Sequence, residues 1–267
     1  MRTTTWMAAC LLASTALACD EHKYDGILEA SASATAPVPT PAAVPSAAPS
    51  ATAPAFVKKN AADCKPHPTA IDFGGDAALE ADVRKKVGKD TGPITPADLA
   101  QVRSVNVSTG KVHQIDPCIF PMLTGVKDIF LGPGEYDDLT PLQKLTTLVS
   151  LRLSFSQVKD LRAIEGLKSL DRLDISHTQV GDAQLKSVAS LVNLTELMLD
   201  EDTVSDLTPI ASLKKLEKLS LKKSGVKSLA PLAQMTTLKF LWIAETPVTD
   251  ITPVQPLVAH GMKLIQN

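Results

Sequence analysis

The stretch Leu194 to Leu221, LTELMLDEDTVSDLTPIASLKKLEKLSL, holds two Leu-x-Leu pairs, Leu197 with Leu199 and Leu219 with Leu221, set 22 residues apart. Between them lies Val204-Ser-Asp-Leu-Thr-Pro-Ile210, and a close copy recurs as Val248-Thr-Asp-Ile-Thr-Pro-Val254. Outward from this unit, the leading leucine returns at Leu151, Leu173, Leu197, Leu219 and Leu241, at intervals of 22, 24, 22 and 22 residues. Self-similarity at this period marks units that cannot bury an apolar face alone. They must stack, so that one row of side chains becomes a continuous core.

Extending the alignment toward both ends adds Val105 with Val107 and Ile129 with Leu131, which makes seven strands, and an eighth is expected at Lys263 to Ile265. Within each strand the leucines point into the stack and the residues between them point out. The rest of a 22-residue unit leaves room for little more than a 3₁₀ turn. Thr140, Thr208 and Thr252 stand before Pro141, Pro209 and Pro253, which is helix-start chemistry with room for a turn or two at most. Gly181 to Leu191 is the exception. It lies in the longer, 24-residue repeat and lacks proline, and Leu185, Val188 and Leu191 at threefold spacing predict a true α-helix there. Ahead of the repeats, Asp76 caps a predicted helix with Gly88 just past its end, and Thr95-Pro96 opens a second, shorter one.

This pattern resembles the internalin-type leucine-rich repeat of 22 residues over roughly residues 73 to 267, with the longer unit closer to the ribonuclease-inhibitor-like form. The resemblance implies an α/β solenoid: a curved parallel sheet, mostly short 3₁₀ turns on the convex side and a helical N-terminal cap. Such families commonly place Asn three residues after the second strand leucine, where its side chain bonds the turning backbone. Here the position holds Ser156, Thr178, Asp202, Ser224 and Thr246. Hydroxyls and carboxylates are expected to do similar local bonding.

The N-terminal region has a different character. Residues 3 to 19 carry no charge and follow Arg2, and the apolar stretch Trp6 to Ala13 precedes a run of small residues, as in a secretory signal. The segment ends Ala16-Leu17-Ala18-Cys19, which resembles a bacterial lipobox, although an aliphatic residue is usual where Ala16 stands. This implies a lipoprotein with Cys19 lipidated; the alternative is cleavage near Ala18 and a soluble secreted product. Ser31 to Pro54 contains six prolines, nine alanines, seven Ser or Thr and no charge. Such a composition cannot bury enough apolar surface to offset ordering, so it reads as a disordered tether. The expected organisation is a signal peptide over 1–18, a lipidated N-terminus and tether over 19–60, a helical cap over 61–100, and repeats with a short C-terminal cap over 101–267.

With Cys10 leaving in the signal and Cys19 acylated, Cys64 and Cys118 remain as an even pair in an exported chain. They read as a disulfide, or else as two buried thiols. The chain has 27 Lys plus Arg against 29 Asp plus Glu, a formal net charge of −2. No concentrated basic face argues for nucleic acid. His22, His67, His113, His177 and His260 are scattered without metal-ligand spacing, and neither a nucleophile elbow nor a phosphate-cradling glycine loop is present. Asp200, Glu201 and Asp202 are consecutive and point in different directions, which argues against calcium. No catalytic residue, metal or cofactor is expected.

Function is therefore sought on the outward residues of the strands. Arg152, Arg172, Asp174, Glu196, Met198, Asp200, Lys218, Lys222, Phe240 and Trp242 are the candidate binding residues of the concave face. Opposite charges follow one another down its columns, as in Arg172, Glu196 and Lys218, in Arg152 and Asp174, and in Asp200 and Lys222. These are either cross-strand pairs that hold register or a mixed-charge surface that selects a complementary partner. Phe240 and Trp242 are either a ligand anchor or are covered by the C-terminal tail. The expected protein is a monomeric, non-catalytic module in the bacterial cell envelope, held to a membrane by its N-terminal lipid and binding another protein. A structural lipoprotein serving as spacer or assembly component is the alternative.

Overall fold

The computed structural model describes residues 56–267 apart from positions 67 and 109. The expected leader, Cys19 and the Pro/Ala/Ser-rich stretch lie outside the described residues.

Two helices lead. Helix α1 (Ala77–Val87) starts where Asp76 accepts a hydrogen bond from the Leu79 amide and stops at Gly88, whose φ of 67° only glycine adopts without cost. Helix α2 (Pro96–Gln101) opens on a reciprocal capping box between Thr95 and Asp98. Asp98 is held down to about 2 by its bonds to the Lys89 ammonium and Thr95. Cys64 and Cys118 are joined in a disulfide with their Cα atoms 5.1 Å apart, tying the segment ahead of α1 to the chain 54 residues on. Beside it, Lys59 forms an ion pair of 3.1 Å with Asp116.

Eight strands follow in one parallel sheet whose spatial order is the chain order: β1 (Ser104–Val107), β2 (Asp128–Leu131), β3 (Ser150–Arg152), β4 (Arg172–Asp174), β5 (Glu196–Met198), β6 (Lys218–Ser220), β7 (Phe240–Trp242) and β8 (Lys263–Ile265). The register aligns Ile129, Leu151, Leu173, Leu197, Leu219, Leu241 and Leu264 as one row. From Ile129 through Leu241 that row is at most 1% exposed. Each repeat adds further layers behind it. In one of them Leu153, Val158, Leu161, Ile164 and Leu167 are all fully buried. This sealed interior is the source of the fold's stability, since truncating one such leucine to alanine costs about 2–5 kcal/mol.

The return half of most repeats is a 3₁₀ turn, at Thr140–Leu142, Arg162–Ile164, Thr208–Ser212, Ala230–Leu232 and Thr252–Val254. In the longer repeat it is instead α3 (Asp182–Val188), where the extra two residues complete an α-turn. The three Thr-Pro steps open turns, as their sequence implies. Thr140, Thr208 and Thr252 do not cap these turns but are their first residues. The capping acceptors are Asp138, Asp206 and Asp250, whose Oδ1 atoms take the amides of those threonines at 2.8, 2.9 and 2.8 Å. Asp160 does the same for Arg162 at 3.0 Å. The carboxylate two residues ahead has the reach to close an Asx-turn.

After β7, helix α4 (Gln255–Ala259) and strand β8 close the last repeat, burying Val254, Leu257 and Met262. The tail therefore seals the final core layer and extends the sheet.

Candidate binding face

The outward residues form columns because the strands pair without slip. One column runs Asp128, Ser150, Arg172, Glu196, Lys218, Phe240, Lys263, and the next runs Phe130, Arg152, Asp174, Met198, Ser220, Trp242, Ile265. Every expected face residue lies on this sheet or in the turn leaving it. Arg152, Arg172, Lys218 and Lys222 are exposed; Asp174, Glu196, Met198, Asp200, Phe240 and Trp242 are half-buried.

The lysines and arginines behave differently. Lys218 pairs with Glu196 at 3.2 Å, Lys222 with Asp200 at 3.3 Å and Lys223 with Glu201 at 2.8 Å, each to the carboxylate one rung earlier. The Lys223 ammonium holds the Glu201 carboxyl below its usual range. Pairs like these fix register and contribute a few tenths to about 1 kcal/mol each. The arginines break the expected alternation. Arg172 does not pair with Glu196; its Nε lies 3.7 Å from Asp171, the residue before it. Arg152 does not pair with Asp174, whose Oδ1 accepts the Ser176 amide at 3.1 Å. Its guanidinium carbon stands 5.7 Å from the centroid of the Phe130 ring instead, a cation–π arrangement. Among the described residues no carboxylate oxygen lies within ion-pair distance of Arg152.

Phe240 and Trp242 stack on each other, ring centroids 5.6 Å apart and planes 14° from parallel. The tail runs alongside them as β8, and its Lys263 lies over the Phe240 ring, Nζ 5.6 Å from the centroid.

A further ladder lies where the chain leaves the strands, and residue type gives no hint of it. Phe155, His177, Glu201, Lys223 and Glu245 all have positive φ, between 55° and 61°, although none is glycine. The repeat requires a left-handed residue at this point, and each bulky side chain there costs about 1 kcal/mol or more. The alignment of repeats places these five in one column, the only sequence signal for the site. Phe155 stacks on His177 at 3.9 Å between centroids and is still 53% exposed. His177 Nδ1 in turn lies 3.2 Å from Glu201.

Beneath this ladder run the substitutes for the expected Asn. Thr246 Oγ1 donates to the Ile243 carbonyl at 2.7 Å. Asp202 Oδ1 accepts from the Thr178 amide and hydroxyl at 2.8 and 2.9 Å. The rest fall short of the expected bonding. Ser156 Oγ, Ser224 Oγ and Asp202 Oδ2 are sealed from solvent without a partner among the described residues. Burial pushes the Asp202 carboxyl up to about 7 against the two bonds from Thr178, with Asp174 and Asp200 adding to the rise.

A parallel ribbon of short strands at a 22-residue period, backed by 3₁₀ turns and closed by a helical cap, is a leucine-rich repeat solenoid. No known family model matches the chain, and no curated protein matches it. Solved structures do. An internalin C2 from Listeria monocytogenes is 27% identical with a TM-score of 0.64, the match covering 72% of this chain and 93% of that one. A second internalin from the same organism is 25% identical with a TM-score of 0.59, covering 72% of this chain and 62% of that one. A leucine-rich repeat protein from Leptospira interrogans shares the fold at 18% identity and a TM-score of 0.50, over 62% of this chain and 49% of that one. Among the described residues no helix is long and apolar enough to cross a membrane. Nor do three or more His, Cys, Asp or Glu there come together as metal ligands.

Proposed function

We propose that this protein is a non-catalytic recognition module that binds another protein through the concave strand face. It would be anchored in the bacterial cell envelope by a lipid on Cys19 and held off the membrane by the Pro/Ala/Ser-rich tether. The observation that carries this reading is the contrast within one rigid sheet. The row from Ile129 to Leu241 is sealed, yet the outward side keeps an arginine without a carboxylate, a stacked Phe240–Trp242 pair and an exposed Phe155. Solenoids of this kind use such extended concave surfaces for binding, and aromatic and arginine side chains dominate binding hot spots. The likeness to two internalins supports an exported recognition role.

The spacer reading draws on the ladder of lysine–carboxylate pairs, which satisfies much of the C-terminal half internally. Photoreactive residues separate the two. Placed at Met198 or Trp242, they should crosslink one discrete partner in intact cells, whereas placed at Lys144, outside the strand columns, they should not. Equal or absent crosslinking from both faces would favour the spacer. The anchor has its own test. Cys19→Ser should move the protein from the detergent extract to the soluble fraction, and an unchanged distribution removes the lipid.

A further inference from the structure

We propose that the part of the concave face formed by β2 to β4, centred on Arg152, receives an acidic segment of the partner, one that sets carboxylates beside an apolar or aromatic residue. This rests on the concave-face reading and specifies its chemistry.

Charge accounting selects the place. On β5 and β6 and in the turns after them each lysine already has a carboxylate, at 3.2, 3.3 and 2.8 Å, so an incoming acid would have to displace an intramolecular pair. On β3 and β4 it would not. Arg152 is exposed and faces only the Phe130 ring. The acid in register with it, Asp174, is engaged by the Ser176 amide. Arg172 has just the Asp171 contact at 3.7 Å. Asp128 stands two rungs from Arg172 in its column, about 10 Å at the spacing of parallel strands. The cation of this part of the face without an ion-pair partner among the described residues is therefore Arg152, and because the Asp174 and Asp128 carboxylates stay charged to either side of it, an incoming acid is met by this one guanidinium and not by a positive field. With a net charge of −2 the whole chain does not attract anions at long range, so recognition must come from contact.

Side-chain chemistry then defines the ligand. A guanidinium lying over an aromatic ring is partly ordered before binding and keeps its N–H edges free, the geometry that grips a carboxylate with two parallel bonds. Three residues further along the same repeat, Phe155 holds a left-handed backbone conformation and leaves 53% of its surface in water, backed by the His177 ring. Glycine there would relieve the backbone and remove the exposed ring together. A strained and exposed aromatic is a reason to look for a contact. An acid for Arg152 and an apolar group for Phe155 are what this region lacks.

The test uses the full chain in detergent micelles with a fluorescein-labelled hexapeptide of alternating Glu and Phe, its Lys–Phe counterpart as control, and fluorescence anisotropy as readout. The Glu–Phe peptide should bind and the Lys–Phe peptide should not. Arg152→Gln should weaken binding tenfold or more, Phe155→Ala severalfold and Lys144→Gln, outside the strand columns, less than twofold. All three positions are exposed, and melting curves will confirm that the variants stay folded. Equal binding of the two peptides, or a Glu–Phe affinity untouched by Arg152→Gln, overturns the proposal. That failure is distinct from failure of the concave-face reading, which shows as absent crosslinking from Met198 and Trp242 in cells.

Discussion

Replacing Asp202 by Asn should stabilise the protein, and the gain should grow with pH. Asp202 is 4% exposed, with Oδ1 bonded to Thr178 and Oδ2 unpartnered, and its carboxyl sits at about 7 instead of 3.8. Between those two values the folded chain holds a proton that the unfolded chain has released. The folded value is the higher one, so this group's contribution to stability is fully present below about pH 4, is lost progressively as pH rises to about 7, and is flat above that. At about 1.36 kcal/mol for each tenfold change in proton affinity, a rise of this size sets a ceiling of about 4 kcal/mol. Local relaxation around the turn brings the expectation down to about 1–3 kcal/mol. An amide at this position keeps the Oδ1 acceptor and never ionises. Urea unfolding of wild type and Asp202→Asn at pH 5 and pH 8.5 measures the effect, and the difference between the two proteins cancels every other titrating group. The variant should match the wild type within about 1 kcal/mol at pH 5 and exceed it at pH 8.5. An advantage that is absent, or equal at both pH values, would show that Asp202 is not a desolvated carboxylate.

Other consequences follow from single contacts. Leu197→Ala empties a fully buried position in the middle of the row and should cost about 2–5 kcal/mol in denaturant unfolding. Cys64→Ser with Cys118→Ser opens a loop of 54 residues and should lower stability by about 4 kcal/mol in the chain-entropy model, a loss that reductant should reproduce in the wild type. Asp206→Ala removes the acceptor for the Thr208 amide and should cost about 1 kcal/mol, while Thr208→Val, which keeps that amide, should cost less. Glu245→Gly relieves a φ of 56° at an exposed position and should raise stability by about 1 kcal/mol; a loss of stability there would mean that the left-handed ladder carries little strain.

The strands were legible because a side chain's face is fixed by backbone period. Once Leu151 and Leu173 are aligned, the register of Arg152 against Asp174 follows, and the structure has it. What does not follow is where a long side chain goes from there. Arg152 has as much access to the ring one rung back as to the acid one rung on, and with the Asp174 Oδ1 taken by an amide it faces the ring. The eighth strand and α3 could be read from repeat arithmetic, since two extra residues are what a 3₁₀ turn needs to become an α-turn. Thr-Pro marks where these turns open, but not the acceptor that closes them: in so short a turn the aspartate side chain two residues earlier reaches the threonine amide. The left-handed column was the least visible feature. Phe155, His177, Glu201, Lys223 and Glu245 mix aromatic, acidic and basic side chains and include no glycine, so only their shared place in the repeat exposes the conformation.

The two ends of the ribbon are guarded unequally. At the first edge α1 lies against β1, Asp82 takes the Asn106 amide at 3.0 Å, and the disulfide crosses nearby. At the last edge β8 is three residues long, with half-buried Leu264 continuing the leucine row behind it. In a molecule where each rung leans only on its neighbours, unravelling starts at the weaker end. Amide protons should therefore exchange first in β8, then in β7, so that Phe240 and Trp242 sit on the rungs that fray soonest while Arg152 sits on rungs that outlast them.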